Sequence, residues 1–312
     1  MTSPAETARP GTGAGMAGAR FIDPGILARI GDLELVARWV VEGFISGLHR
    51  SAHLGFSTDF AQHRAYVPGD DIRHIDWRVF ARTERYYLKT FEADTNTNFT
   101  VLLDVSASMG FGHERLTKLE YAKYLAACLT YFSHRQRDRV GFVSFDDDVR
   151  DLVPPSARHL SQVLHAIDRA VPLGKGALAR PLARVAEQQR RRGMFLVLSD
   201  LYEPPAAVAA ALGGLRNAGH DVLVMQLLDA AERTLPYDDA TTFRDVETGV
   251  RVPVIPGKLR KDYLEAIAGH VAGMSKTLGE HGIDYALVDT SQPLDRMLFE
   301  YLVRRQRLRT VR

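Results

Sequence analysis

The chain has 312 residues, of which 46% are hydrophobic and 25% are charged, and its formal net charge is +2. These values are typical of a globular protein with a substantial core, and they give no reason to expect binding to nucleic acids or membranes through bulk charge. The single cysteine, Cys128, excludes an intramolecular disulfide bond and favours a reducing compartment. Because no stretch of about 18 residues is apolar, we expect no membrane span and predict a cytoplasmic protein.

The first 98 residues divide into three segments by composition. Residues 1–20 are rich in Ala, Gly, Thr, Ser and Pro, which predicts a disordered tail. Asp23 and Pro24 are typical of a helix start, and the apolar residues that follow predict a helix to about Phe44. Residues 46–98 are rich in Arg, His, Asp, Tyr and Gly, so we expect short strands and loops there. Residues 21–98 thus form a predicted N-terminal module of one helix and a smaller β-rich part.

From Phe99 onward, short apolar runs alternate with helical patterns. The predicted strands cover residues 99–104, 139–145, 149–153, 194–200, 221–228 and 283–288. The predicted helices cover about residues 117–135, 158–170, 178–191, 204–217, 258–280 and 293–305. Nearly continuous apolar strands that alternate with helices predict an α/β fold, in which a mainly parallel, Rossmann-like sheet carries helices on both faces. This predicted domain spans residues 99–305, and a basic tail, 306–312, follows it.

Residues 229–256 interrupt this alternation. Two runs of alternating residues, 241–246 and 250–254, flank a turn that contains Glu247, Thr248 and Gly249, which predicts a β-hairpin. We expect the hairpin to be an insertion between a strand and the helix that starts near residue 258.

Two of the predicted strands end in acidic residues, Asp104 and Asp200. Ligands of open α/β sheets bind at the carboxyl ends of the strands, so both carboxylates are expected at one edge of the sheet. Asp104 opens the sequence Asp-x-Ser-x-Ser, in which the hydroxyls of Ser106 and Ser108 are hard oxygen ligands suited to Mg²⁺. Together with Asp200 they would leave the cation electrophilic and open to a carboxylate of another protein. The alternative is a capped turn without a metal.

The Asp104–Ser108 turn, the strand before it and the long helix after it resemble the metal-ion-dependent adhesion site of von Willebrand factor A domains. The resemblance implies a von Willebrand factor A-type fold and a bound Mg²⁺, with Mn²⁺ or Ca²⁺ as alternatives. Such sites usually take a threonine ligand from a third loop. The matching residues here, Gly176 and Ala177, have no side-chain oxygen, and Lys175 adds a positive charge. Weak metal binding or a vestigial site is the corresponding alternative.

The run from Pro68 to Trp77 reads PGDDIRHIDW and resembles the signature of the bacterial family catalogued as domain of unknown function 58. The similarity continues through residues 104–109, 118–122, 138–141 and 245–249. Genes of this family commonly lie beside those of MoxR-type AAA+ ATPases, which implies such an ATPase as a partner in chaperone-like protein assembly. The role of the Pro68–Trp77 run itself, as a structural module or a docking surface, stays open.

Together, these patterns predict a non-enzymatic adaptor that binds proteins through a metal site and works with a MoxR-type AAA+ ATPase; the client protein stays open. The sequence has no nucleophile elbow, phosphate-binding loop or zinc-protease helix. One alternative is a metal-free scaffold. Another, less favoured, is a metal-dependent hydrolase, for which His113 or Asp146 would have to serve as the base. We expect no nucleic acid among the partners.

Overall fold

A computed structural model describes residues 32–50, 62–65, 79–80, 86–90, 97–113, 116–298 and 301. At its centre lies a six-stranded sheet of β3 (Asn98–Asp104), β4 (Arg139–Phe145), β5 (Val149–Ser156), β6 (Gly193–Ser199), β7 (Asp221–Leu228) and β10 (Asp284–Asp289). The order of the strands across this sheet is β10-β7-β6-β3-β4-β5. All neighbouring strands run parallel except β4 and β5, which are antiparallel. The predicted mainly parallel sheet is therefore confirmed.

The helices of the described ranges include α1 (Leu33–Arg50), α2 (Lys118–Arg135), α3 (Leu160–Arg169), α4 (Ala179–Gln188), α5 (Pro205–Asn217), α6 (Ala230–Thr234) and α7 (Pro256–Glu280). Residues 79–80, 294–298 and 301 are also helical, and the last two lie within the predicted helix 293–305. A short 3-10 helix, Ala107–Gly110, follows β3. The start of α2 is fixed by a capping box, in which Thr117 and Glu120 each accept a hydrogen bond from the other's backbone N–H. None of the helices in the part of the chain that the structure describes is long and apolar enough to cross a bilayer.

Helices cover both faces of the sheet. Successive residues of each strand point to opposite faces, so each strand contributes side chains to both helical layers. Phe99, Val101 and Leu103 of β3 join a buried cluster with residues of α1, α2 and α3. Leu102, on the other face of the same strand, joins a second cluster with residues of α4, α5 and α7. β6 is buried along its whole length, as expected of a parallel strand between two helical layers.

The order of the strands reverses at β3. From β3 the chain passes to β4 and β5 on one side, and it then returns to β6 on the other side of β3. The carboxyl ends of β3 and β6 thus border a switch point, which is where open α/β sheets bind ligands. Asp104 ends β3 and Asp200 follows β6, so the structure places both acidic residues at the predicted edge.

The predicted hairpin is also confirmed. β8 (Thr241–Arg244) and β9 (Arg251–Val254) form an antiparallel sheet of their own. In the turn between them, Gly249 N donates to Asp245 O at 2.8 Å. Gly249 has a φ of 73°, a left-handed conformation that glycine adopts without steric cost.

The predicted helix over Asp23–Phe44 is confirmed only from Leu33 onward. Asp32 is not helical, and α1 begins at the residue after it, Leu33. The carboxylate of Asp32 accepts a hydrogen bond from Leu35 N at 3.0 Å. This side chain therefore caps the start of α1.

The segment after Phe44 also differs from the prediction, because α1 continues to Arg50 where strands and loops were expected. Burial of Val36 and Val40 against α2 stabilises this longer helix. Farther along, β1 (Gln62–Ala65) and β2 (Tyr87–Thr90) pair in antiparallel fashion, in the region expected to be β-rich. Outside the described residues lie the predicted tail 1–20, the helix start at Asp23, the Pro68–Trp77 run and the basic tail 306–312.

Candidate metal site

Asp104 lies at the carboxyl end of β3 and is almost fully buried. Its Oδ1 accepts a hydrogen bond from Ser106 N at 2.8 Å, and its Oδ2 accepts one from Ser199 Oγ at 2.6 Å. Burial, followed by the negative charge of Asp200, raises the pKa of Asp104 to about 7, although the bonds from the two serines act in the opposite direction. The Asp104 carboxylate therefore stabilises the conformation of the turn through these two hydrogen bonds.

The two serines of the turn bring their hydroxyls together. Ser106 is buried and Ser108 is half-buried, and their Oγ atoms lie 3.1 Å apart. Neighbouring ligands of an octahedral Mg²⁺ bound at about 2.0–2.1 Å lie about 3 Å from each other. The spacing of the two hydroxyls therefore fits two adjacent positions of such a coordination shell.

The loop between α3 and α4 packs directly on the serine turn. Ala107 N donates a hydrogen bond to Gly174 O at 3.1 Å. A Cβ atom added at Gly176 would lie 3.2 Å from Ser106 Cβ and 3.3 Å from Ser106 Oγ. Gly176 therefore stands where the hydroxyl of a third loop was expected, and its lack of a side chain lets the loop approach the serine closely.

Asp200 has a partner that the sequence pattern does not predict. The ammonium group of Lys118, the first residue of α2, is fully buried and donates to Asp200 Oδ2 at 2.8 Å. The same ammonium donates to Glu232 Oε1 at 2.6 Å and lies 4.9 Å from the centre of the Tyr202 ring. Buried charges need such compensation, and one lysine here faces two carboxylates. Asp200 Oδ2 is thus engaged in an ion pair.

The four predicted ligands therefore divide into two groups. Asp104, Ser106 and Ser108 lie within one turn, whereas Asp200 acts on Asp104 as a like charge and is paired with Lys118. Within the described ranges, no group of three or more His, Cys, Asp or Glu side chains is arranged to hold a metal ion. Among the four predicted ligands, only the two serine hydroxyls would then contact a cation at this turn directly.

One further carboxylate, which the sequence pattern also does not predict at this site, reaches this loop from the β8–β9 hairpin. Glu247 Oε1 accepts a hydrogen bond from Gly176 N at 3.1 Å. Glu247 is half-buried, although the neighbouring residues of the hairpin turn are exposed. The sequence marked this glutamate as part of a turn, and no spacing rule connects it to Ser106.

The two side chains considered as bases for a hydrolase have other partners. His113 Nδ1 lies 3.3 Å from Tyr237 Oη, and the two rings meet edge to face. Asp146 Oδ2 accepts a hydrogen bond from Arg150 Nε at 2.6 Å. Burial opposes the effect, but bonding to Arg150 holds the pKa of Asp146 below its usual value. Neither of these contacts involves the serine turn.

Comparison with known proteins gives matches along most of the chain. The family described as "Protein of unknown function DUF58" matches residues 62–273. The "Uncharacterized protein Rv1480" of Mycobacterium tuberculosis is 30% identical over 269 residues, which cover 82% of this chain and 82% of that protein. An aerotolerance-related membrane protein of Bacteroides fragilis is structurally similar, with a TM-score of 0.46 and 18% identity over 65% of this chain and 97% of the other. The SpRpn10 VWA domain has a TM-score of 0.39 and 11% identity, over 65% of this chain and 93% of the other.

Proposed function

We propose that this chain, which belongs to the DUF58 family, is a non-enzymatic adaptor that binds another protein through a divalent cation at the Asp104–Ser108 turn. The cation is Mg²⁺ or a similar hard ion such as Mn²⁺, and the group that binds to it is a carboxylate of the other protein. The observation that carries the proposal is the 3.1 Å separation of the Ser106 and Ser108 hydroxyls at the switch point of the sheet.

The character of the ligands favours binding over catalysis. Ser106 and Ser108 are neutral ligands, and both oxygens of Asp104 already accept hydrogen bonds. A cation held mainly by neutral hydroxyls keeps much of its positive charge, so it would supply an attractive site for a carboxylate. His113 and Asp146, the side chains considered as bases, are engaged in other contacts. Metal-assisted hydrolysis usually needs a positioned base beside the cation.

Exposed apolar side chains near this end of the sheet support a protein as the partner. Leu173 is exposed, and its N donates to Val105 O at 2.6 Å, directly beside the serine turn. Tyr202, two residues after Asp200, is also exposed. Further exposed apolar residues of the third loop and the hairpin are Val171, Val246, Val250 and Val252. In this proposal these side chains supply the apolar part of the surface that contacts the partner.

The working partner that we propose is a MoxR-type AAA+ ATPase, the partner that the family resemblance implies, in chaperone-like remodelling or assembly of proteins. The full chain with an affinity tag should recover this ATPase from an extract of the native organism that contains ATP and Mg²⁺. Ser108→Ala should reduce the recovery, because it removes one hydroxyl ligand and little packing. Ser275→Ala, at an exposed position of α7, is the matched control and should leave recovery unchanged.

Asp104→Ala is a less suitable variant, because Ser106 N and Ser199 Oγ would lose their buried acceptor and the fold itself would suffer. Mass spectrometry of the recovered proteins identifies the ATPase and quantifies it. Recovery of no AAA+ ATPase, or equal recovery with Ser108→Ala, would contradict the proposal.

The Lys118–Asp200 ion pair favours a second candidate, a metal-free scaffold. Lys118 already supplies Asp200 with a positive charge, and in this candidate the serine turn is purely structural. The exposed apolar residues alone would then bind the partner. Calorimetric titration with Mg²⁺ and Mn²⁺ separates the two candidates: heat consistent with one site supports the cation-bearing adaptor, and no heat with either ion supports the scaffold.

A further inference from the structure

We propose that Glu247, at the tip of the β8–β9 hairpin, is a ligand of the cation and takes the place of the hydroxyl that the third loop lacks. This inference rests on the proposed cation site and adds one residue to it. The hairpin then has a chemical role, because it delivers a carboxylate to a turn that otherwise offers neutral hydroxyls.

The position of the Glu247 carboxylate is the first support. A Cβ atom at Gly176 would lie 3.5 Å from Glu247 Oε1 and 3.3 Å from Ser106 Oγ. Both oxygens therefore border the small space that a side chain at position 176 would fill. A threonine there would place its own oxygen in this space, whereas glycine leaves it open to a side chain from elsewhere in the fold.

The conformation of the hairpin turn is the second support. The carboxylate of Asp245 accepts hydrogen bonds from Glu247 N at 2.9 Å and from Thr248 N at 3.3 Å. These bonds fix the turn, and the hydrogen bond from Gly176 N to Glu247 Oε1 joins it to the third loop.

Charge is the third support. Mg²⁺ in proteins is usually bound through one or two carboxylates, and Asp200 Oδ2 is already paired with Lys118. None of the ion pairs among the described residues includes Glu247, although its side chain is half-buried. A half-buried carboxylate without an ion pair is stabilised more by a cation than by the single hydrogen bond that it now accepts from Gly176 N.

Titration of the full chain with Mn²⁺, followed by the electron paramagnetic resonance signal of free Mn²⁺, tests the inference. Glu247→Gln removes the charge, yet the glutamine oxygen can still accept the bond from Gly176 N. We expect this variant to bind Mn²⁺ about tenfold more weakly or worse, as is typical when a metal site loses one supporting group. Glu265→Gln, which removes an exposed carboxylate of α7, is the control and should bind Mn²⁺ like the unmodified chain.

The outcomes separate this inference from the function on which it rests. A role limited to docking the hairpin would leave Mn²⁺ affinity unchanged in Glu247→Gln, so equal or tighter binding by this variant overturns the inference and leaves the cation site standing. No Mn²⁺ binding by the unmodified chain overturns both. Weaker binding by Glu247→Gln together with unchanged binding by Glu265→Gln supports both.

Discussion

Replacing Lys118 with methionine preserves most of the length of a buried side chain and removes its charge. The ammonium is fully buried and bonds Asp200 at 2.8 Å and Glu232 at 2.6 Å. Removing one partner of a buried ion pair typically costs about 3–5 kcal/mol, because the other charge stays buried without compensation. Since two carboxylates lose their counter-ion here, we expect the free energy of unfolding to fall by about 4 kcal/mol.

Urea denaturation followed by circular dichroism measures this change. Lys276→Met, at an exposed position of α7, is the matched control and should change the free energy of unfolding by less than about 0.5 kcal/mol. The double variant Lys118→Met with Asp200→Asn should recover at least about 1 kcal/mol, because it neutralises one of the unpaired carboxylates. A loss below about 1 kcal/mol in Lys118→Met alone would refute the reasoning that its charge compensates Asp200 and Glu232.

Three further predictions concern the stability and packing of the fold. Thr117→Ala removes the side-chain cap of α2 and should lower the free energy of unfolding by about 1 kcal/mol in urea denaturation; no change would contradict the role of the capping box. Burial raises the pKa of the Cys128 thiol to about 12, so iodoacetamide should label it only after unfolding, and rapid labelling of the folded chain would argue against this burial. Burial lowers the pKa of His220 below 6.5. As the pH falls, this imidazole is therefore protonated in the unfolded chain before it is protonated in the folded chain, and the folded state loses stability below about pH 6.5. His220→Gln should therefore lose less stability than the unmodified chain between neutral pH and about pH 5. His165→Gln, at an exposed position, is the control and should lose as much stability as the unmodified chain.

The sheet and the position of the serine turn could be predicted because both depend on local patterns. Apolar runs such as 99–103 and 194–198 are typical of strands buried on both faces, and the parallel arrangement of β3 and β6 then brings their carboxyl ends to one edge. The helix boundary at Asp32 was also present in the sequence as a local cap. It was missed because the apolar residues on either side of it read as one continuous helix.

The partners of the site could not be predicted, because they depend on tertiary packing. Lys118 and Asp200 are 82 residues apart, and Gly176 and Glu247 are 71 residues apart. A lysine in the first turn of a helix is usually solvated, and no local rule indicates that this one is buried between two carboxylates. Likewise, the hairpin pattern fixes the turn that holds Glu247 but not the loop on which that turn packs.

Anomalous diffraction from crystals grown with Mn²⁺ would test most directly whether the Asp104–Ser108 turn binds a cation. We predict one anomalous peak about 2 Å from the Oγ atoms of both Ser106 and Ser108, and its loss in crystals of Ser108→Ala. A map without a peak at this turn, at a Mn²⁺ concentration that saturates the protein in solution, would contradict the proposed site.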